Sequence, residues 1–118
     1  MKIIINNSGK RRVLRVIKTG FFSRVLGLMF KSKNADNLLF EFEKNVKIPF
    51  HSLFVFFPFL LLWLNSKNKI LEARIVKPFC FGIKPKKSFR KVIEMPFNSK
   101  NVKIIEFFIL RNNLRDDF

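Results

Sequence analysis

His51 is the sole histidine of this 118-residue chain, so an ordinary imidazole acid–base step near neutral pH would fall to it. It borders an apolar stretch, and Glu72 and Glu94 are the acids to consider as its partners. The alternative is a structural histidine held by hydrogen bonds at the mouth of the fold. Cys80 is the sole thiol and lies between Phe79 and Phe81, a setting that predicts burial and an inert side chain. Residue types allow a Cys80–His51 nucleophile pair, but no third orienting residue is evident. One His, one Cys and scattered carboxylates give no metal-ligand spacing. The sequence has no glycine-rich phosphate loop, no nucleophile elbow and no closely spaced pair of acids. It therefore leans away from an enzyme and calls for no cofactor or metal.

Charge points elsewhere. Lys and Arg number 24 against 8 Asp and Glu, a net charge of +16, which favours acidic partners such as nucleic acid, anionic lipid or an acidic protein. The cations form two acid-free blocks. Lys10, Arg11, Arg12, Arg15 and Lys18 make the first; Lys84, Lys86, Lys87, Arg90 and Lys91 make the second. Such stretches suggest a nucleic-acid or polyanion patch if they converge in space, and otherwise a solvated face. Lys, Phe, Ile and Asn, all read from A/T-rich codons, make up 56 of the 118 residues, so base composition contributes to both charge and Phe content. Most of the 17 Phe lie in apolar stretches and only Phe89 within a basic block. That distribution predicts core rather than a base-stacking platform.

These groups need a scaffold, and short strands dominate the pattern. Lys2–Ile5, Arg11–Ile17, Leu38–Phe42, Leu53–Phe57, Leu60–Leu64, Lys69–Val76, Phe89–Met95 and Val102–Leu110 read as about eight strands. In the second, Leu14 and Val16 fall on one side, with Val13, Arg15 and Ile17 on the other. Leu53–Phe57 is apolar on both faces, as expected of a central strand. Asn65–Asn68 reads as a four-residue hairpin loop. Pro78–Lys87 reads as a loop, and Ser23 as the cap of one short helical turn over Arg24–Leu28. The sum is one mainly-β domain over 1–110, a compact sandwich or partly closed, jelly-roll-like barrel, with a polar tail at 111–118.

Ile48–Ser66 contains no charged residue. As a helix, Ile48–Leu64 would span about 26 Å, short of the ~30 Å hydrocarbon core, with Pro58 near its middle. Two buried strands parted at Pro58 fit better; the alternative is a membrane-associated protein held through 48–64. The three-residue apolar stretch of the N-terminus falls far short of a secretory signal, so the expected location is the cytoplasm, where a lone thiol stays reduced.

Five stretches carry a resemblance. Arg24-Val25-Leu26-Gly27-Leu28-Met29-Phe30 resembles the R-x-x-G-L-M-F signature of the domain of unknown function 192 family, and Leu39-Phe40-Glu41-Phe42 its L-F-x-F strand. His51-Ser52-Leu53-Phe54-Val55-Phe56-Phe57-Pro58 is similar to the archaeal H-M-x-F-V-F-F-P form. Lys77-Pro78-Phe79 is similar to the K-P-W turn, and Val92-Ile93-Glu94-Met95-Pro96 to the V-x-E-x-P strand. The resemblance implies a compact mainly-β domain and brings no known activity or cofactor. Departures include Ser52 for the usual Met, Phe59-Leu60 for Ile-Asp, Asn65 for a strand-ending Asp, and Asn98-Ser99-Lys100 for a Gly-containing turn.

The first functional expectation is a small non-enzymatic β domain that binds a protein partner or small ligand near His51 and Gly27-Leu28-Met29-Phe30, with Arg24, Gly27, Met29, His51 and Glu94 as pocket residues. The second is polyanion or nucleic-acid binding through the basic blocks. Membrane association is the third.

Overall fold

The computed structural model describes residues 1–19, Leu28 and 31–112, with the backbone alone at 111 and 112. Its elements run β1 (Lys2–Asn7), β2 (Lys10–Arg15), β3 (Ile17–Lys18), β4 (Leu38–Val46), β5 (Phe59–Leu64), β6 (Ile70–Val76), β7 (Phe89–Pro96) and α1 (Val102–Asn112). The expected helical turn over Arg24–Leu28 lies outside the described residues except for Leu28.

Five strands form one sheet in the order β3-β4-β7-β5-β6, antiparallel except for the β3–β4 pair. Its middle strand in burial is β5: all six residues of Phe59–Leu64 are buried, because both faces of the sheet are covered. On one face Leu60, Leu62, Leu64, Ile93 and Met95 meet Ile3, Ile5 and Leu14 of the β1–β2 hairpin, with Ile105 and Phe108 of α1. On the other, Phe59, Leu61, Trp63, Phe40 and Val92 meet Leu28, Val55, Phe57 and Ile83. Truncating a fully buried leucine such as Leu62 to alanine should cost about 2–5 kcal/mol. The molecule is a mainly-β open sandwich, as the strand pattern predicted.

The first hairpin turns on two residues. Ser8 and Gly9 both have positive φ, 53° and 88°, as a primed turn requires, and the Asn6 side chain accepts the Gly9 N–H at 2.8 Å. As expected, β2 buries Leu14 and exposes Val13 and Arg15. The β5–β6 loop is also where the turn residues put it. Asn65 Oδ1 accepts the N–H groups of Lys67 and Lys69, and Asn68 takes φ 65°.

Two expected strands are something else. Val102–Leu110 belongs to the helix α1, not to a strand. A strand would place Glu106 on the same side as Ile104 and Phe108. The helix instead buries Asn101, Ile105 and Phe108 at helical spacing and turns Lys103 and Glu106 outward. Asn98 Oδ1 accepts the Asn101 N–H, and the Ile105 N–H to Asn101 carbonyl bond opens the first turn. Leu53–Phe57 is not the central strand either: Val55 and Phe57 point inward, but the segment pairs with no strand and bends at Phe54, where φ is 57°. The double-sided burial belongs to Phe59–Leu64, beyond Pro58.

The expectation that the Phe residues are core also fails for a group of four. Phe54, Phe56, Phe79 and Phe81 are 47, 61, 51 and 79% exposed, whereas Phe89, in the basic block, is fully buried. Cys80, flanked by two of these exposed rings, is half-buried rather than buried. Among the described residues no helix is long and apolar enough to cross a membrane.

Candidate functional site

Glu94 is the most perturbed acid in the described structure. It sits on β7 in register with Leu38 on one side and Leu61 on the other, and it faces opposite to its neighbours Ile93 and Met95. The residue is 5% exposed, and Oε1 is buried with no hydrogen-bond partner. Burial pushes its pKa up to about 8, against the opposing pull of a Leu28 backbone hydrogen bond and the Lys31 charge. Near neutral pH this side chain carries a proton on an interior strand. A cleft of about 290 Å³ is lined by Ile17, Lys18, Thr19, Lys31, Asp36 and Leu38, and Glu94 is not among its walls.

His51 has a different setting. It lies half-buried on the segment between β4 and β5, where its Nδ1 accepts the Leu53 N–H at 3.2 Å. It lines neither that cleft nor a second one of about 380 Å³ bounded by Arg15, Asp36, Asn37, Lys100, Asn101 and Lys103. Arg24, Gly27 and Met29 lie outside the described residues. Of the expected pocket set, the described contacts therefore join Glu94 to Leu28, the neighbour of Gly27 and Met29, while His51 stands with Ser52 on a separate loop.

Ser52 carries a role that the sequence reading did not assign. It is fully buried, its Oγ donates to the Lys77 carbonyl at 2.7 Å, and the same Oγ accepts the Cys80 N–H at 2.7 Å. Its backbone N–H donates to the Cys80 carbonyl at 2.6 Å, and its carbonyl accepts the Phe79 N–H at 2.8 Å. One small polar residue thus binds the loop before β5 to the loop after β6. A pattern search for chemistry misses it, because a lone Ser in an apolar run carries no periodic signal.

Three members of the basic blocks, Lys10, Arg11 and Lys91, come near one turn. The Asn6 N–H donates to the Asn68 carbonyl at 3.0 Å and Asn6 bridges Lys69, while Asn6 is itself paired with Arg11. Lys91 Nζ donates to Asn68 Oδ1 at 2.7 Å. The β5–β6 turn therefore holds the start of β2 on one side and β7 on the other, and it adds Lys67 and Lys69 of its own. Lys10, Arg11, Lys67, Lys69 and Lys91 gather at this end, and neither turn, 6–11 or 65–70, contains an acid. The remaining members diverge. Arg12 lies over the Phe107 ring at 4.0 Å, and Arg15 lines the larger cleft with Lys100 and Lys103. Arg90 is turned to the Phe42 carbonyl. The backbone groups of Lys84 and Lys86 are fastened to Arg74 and Glu72 at the β6 edge, and Lys87 is exposed beside them.

The model of the domain of unknown function 192 family (DUF192, "Uncharacterized ACR") matches residues 3–104, nearly the whole chain. The chain belongs to the DUF192 family. No curated protein matches it. Two solved structures share the fold. A protein of unknown function from Novosphingobium aromaticivorans superposes with a TM-score of 0.68 at 13% identity, covering 87% of this chain and 76% of that one. A protein from Sinorhizobium meliloti, described as a "putative transcription regulator", superposes with a TM-score of 0.69 at 23% identity, covering 87% and 82%. The geometry gives the DUF192 motifs of this chain a common logic, because they meet in pairs. Leu28 of the Gly-Leu-Met-Phe stretch hydrogen-bonds Glu94 of the Val-x-Glu-x-Pro strand. Ser52 of the His-Ser-Leu-Phe stretch is bound to the Lys77-Pro78-Phe79 turn.

Proposed function

We propose that this DUF192 chain is a non-enzymatic polyanion-binding domain whose interface is the end where the two hairpin turns meet. The observation that carries the reading is the double role of Asn68, which bonds Asn6 through its carbonyl and Lys91 through its side chain. Cations from three separate stretches of sequence thereby share one surface, the clustering that phosphate neutralisation requires. Nucleic acid is the polyanion to test first, in keeping with an expected cytoplasmic setting.

The experiment is a salt titration of binding to duplex DNA and duplex RNA. Affinity should fall steeply with salt, with a log–log slope of about −0.9 per duplex DNA phosphate contact. Replacing Lys10, Arg11, Lys67, Lys69 and Lys91 by alanine should flatten the slope by several units. Replacing Lys84, Lys86 and Lys87 should change it less. An unchanged slope in the five-fold variant would overturn the assignment.

A second reading is binding of a small ligand or a protein side chain that reaches the Glu94 carboxyl. It is favoured by one observation, the buried Oε1 without a partner. A ligand found by screening should lose affinity on Glu94→Gln and bind with proton release or uptake; a Glu94→Gln variant that binds it equally well would exclude Glu94 as its site.

A further inference from the structure

One edge of β2 is left open by the fold. Backbone groups of successive strand residues point to opposite edges. The Val16 N–H continues the β1 ladder by donating to the Met1 carbonyl at 2.9 Å, whereas the Arg15 carbonyl points away from β1 and accepts Asn37 Nδ2 at 3.0 Å. Arg11 and Val13 share the parity of Arg15, so their backbone groups also face away from β1. The Arg11 carbonyl is taken by Arg12 Nη1 at 3.0 Å, but no described residue takes the Val13 N–H or carbonyl. Farther along, the Ile17 and Thr19 N–H groups donate to the Asn37 and Leu39 carbonyls. The chain thus leaves the β4 side at Arg15. The cleft of about 380 Å³ opens there, between the freed edge at Val13–Arg15 and the start of α1.

The walls of this cleft select its occupant. Arg15, Lys100 and Lys103 line it, and its one acid, Asp36, is paired with Lys100 at 3.7 Å. Arg15 and Lys103 have no ion-pair partner among the described residues. The amide N–H groups of Asn37 and Asn101 are all spent on each other and on the Arg15 and Pro96 carbonyls, so recognition falls to the cations and the β2 backbone. On the solvent face of the hairpin, the exposed Ile4 and Val13 stand opposite each other, with Arg11 and Arg15 two residues to either side of Val13. A strand added at this edge would therefore meet an apolar side chain flanked by cations. A small anion or a nucleic-acid phosphate offers acceptors only and leaves the Val13 carbonyl unpaired. A second copy of β2 would set its own cations against these. An extended acidic peptide supplies a backbone donor, a backbone acceptor, an apolar residue and carboxylates together.

We propose that the open edge of β2 and its cleft bind an extended acidic peptide segment, with an apolar residue opposite Val13 and a carboxylate near Arg15, Lys100 and Lys103. The probe is acetyl-Glu-Thr-Val-Thr-Glu-amide, titrated into the full chain and followed by amide chemical shifts and by calorimetry. Shifts should centre on Val13, Arg15 and Lys103. The same peptide with Gln for both Glu should bind at least about tenfold more weakly. Val13→Pro removes an N–H that no ladder uses, so the thermal midpoint should hold while the peptide loses at least about tenfold in affinity; Val13→Thr should keep it. An Arg15→Glu, Lys103→Glu variant, which leaves the backbone intact, should lose the peptide as well. A Lys67→Ala, Lys69→Ala, Lys91→Ala variant should bind it like wild type, which separates this site from the hairpin-turn interface. Absent binding, equal affinity for the Gln peptide, undiminished binding by Val13→Pro or by the double glutamate variant, loss of binding in the lysine variant, or the same shifts with inorganic phosphate alone would each overturn the proposal.

Discussion

Ser52 and Cys80 are bound to each other by two short hydrogen bonds and one long one: the Ser52 N–H donates to the Cys80 carbonyl at 2.6 Å, the Cys80 N–H donates to Ser52 Oγ at 2.7 Å, and Ser52 Oγ lies 3.4 Å from the Cys80 carbonyl. A Met at position 52, the residue the family resemblance leads one to expect, has no hydroxyl to offer. The loop frame of this chain therefore depends on a small hydroxyl side chain where the family resemblance leads one to expect a long thioether.

Ser52→Ala should uncover that dependence. It leaves the Cys80 N–H and the Lys77 carbonyl without a buried partner, at a cost of about 1–3 kcal/mol. The urea midpoint should fall with an unchanged slope, and the Cys80 thiol should react faster with a disulfide reagent. An unaltered midpoint and thiol rate would show that water replaces the hydroxyl at no cost.

Glu94 makes stability depend on pH in an unusual direction for a carboxylate. Its folded-state pKa is raised, so the folded protein keeps a proton that the unfolded chain loses above about pH 4.5. The contribution is fully present below that value, declines as pH rises, and is spent by about pH 8. The loss across the window is on the order of a few kcal/mol. Glu94→Gln mimics the protonated form. Denaturation curves of the variant should match wild type near pH 4.5 and exceed it near pH 8; parallel curves across the window would contradict the raised pKa.

Asn37 and Asn101 bind the start of β4 to the start of α1. Asn101 Nδ2 donates to Asn37 Oδ1 and to the Pro96 carbonyl, both at 2.8 Å, while Asn37 Nδ2 donates to Asn101 Oδ1 and to the Arg15 carbonyl. Asn101→Ala strands several of these groups in the interior and should cost about 2–3 kcal/mol. The Asn37→Ala, Asn101→Ala double variant should lose less than the sum of the two singles, because each single already breaks the shared bonds. Strict additivity would mean that the pair is not coupled.

Asn68 separates backbone from side-chain effects at the hairpin junction. Its φ of 65° suits glycine, so Asn68→Gly should stay within about 1 kcal/mol of wild type although Lys91 loses its acceptor. Asn68→Ala keeps the left-handed backbone with a Cβ and should be about 1 kcal/mol less stable than the glycine variant. Equal stability of the two would place the cost in the Lys91 contact instead.

Local signals in the chain were enough for most strands. Alternation along Lys10–Arg15, the Asn-rich turn before β6 and the all-apolar Phe59–Leu64 segment each reflect side-chain direction or turn chemistry, which act over a few residues. The five motif stretches were likewise sufficient for the family. Position Val102–Leu110 was ambiguous because a short apolar run satisfies either period, and the helix is selected by the open sheet face beside the first hairpin.

The sequence by itself determined a mainly-β domain of the DUF192 family with a strong positive charge, since composition, alternation and motif order are properties of the chain alone. Only the tertiary structure decided which cations share a surface and which Phe rings face solvent. Lys91 and Arg11 are brought together by pairing across the sheet and the Asn68 turn, and Phe54 and Phe79 by the Ser52 clamp. Those contacts join residues distant in the chain, and no local pattern encodes them.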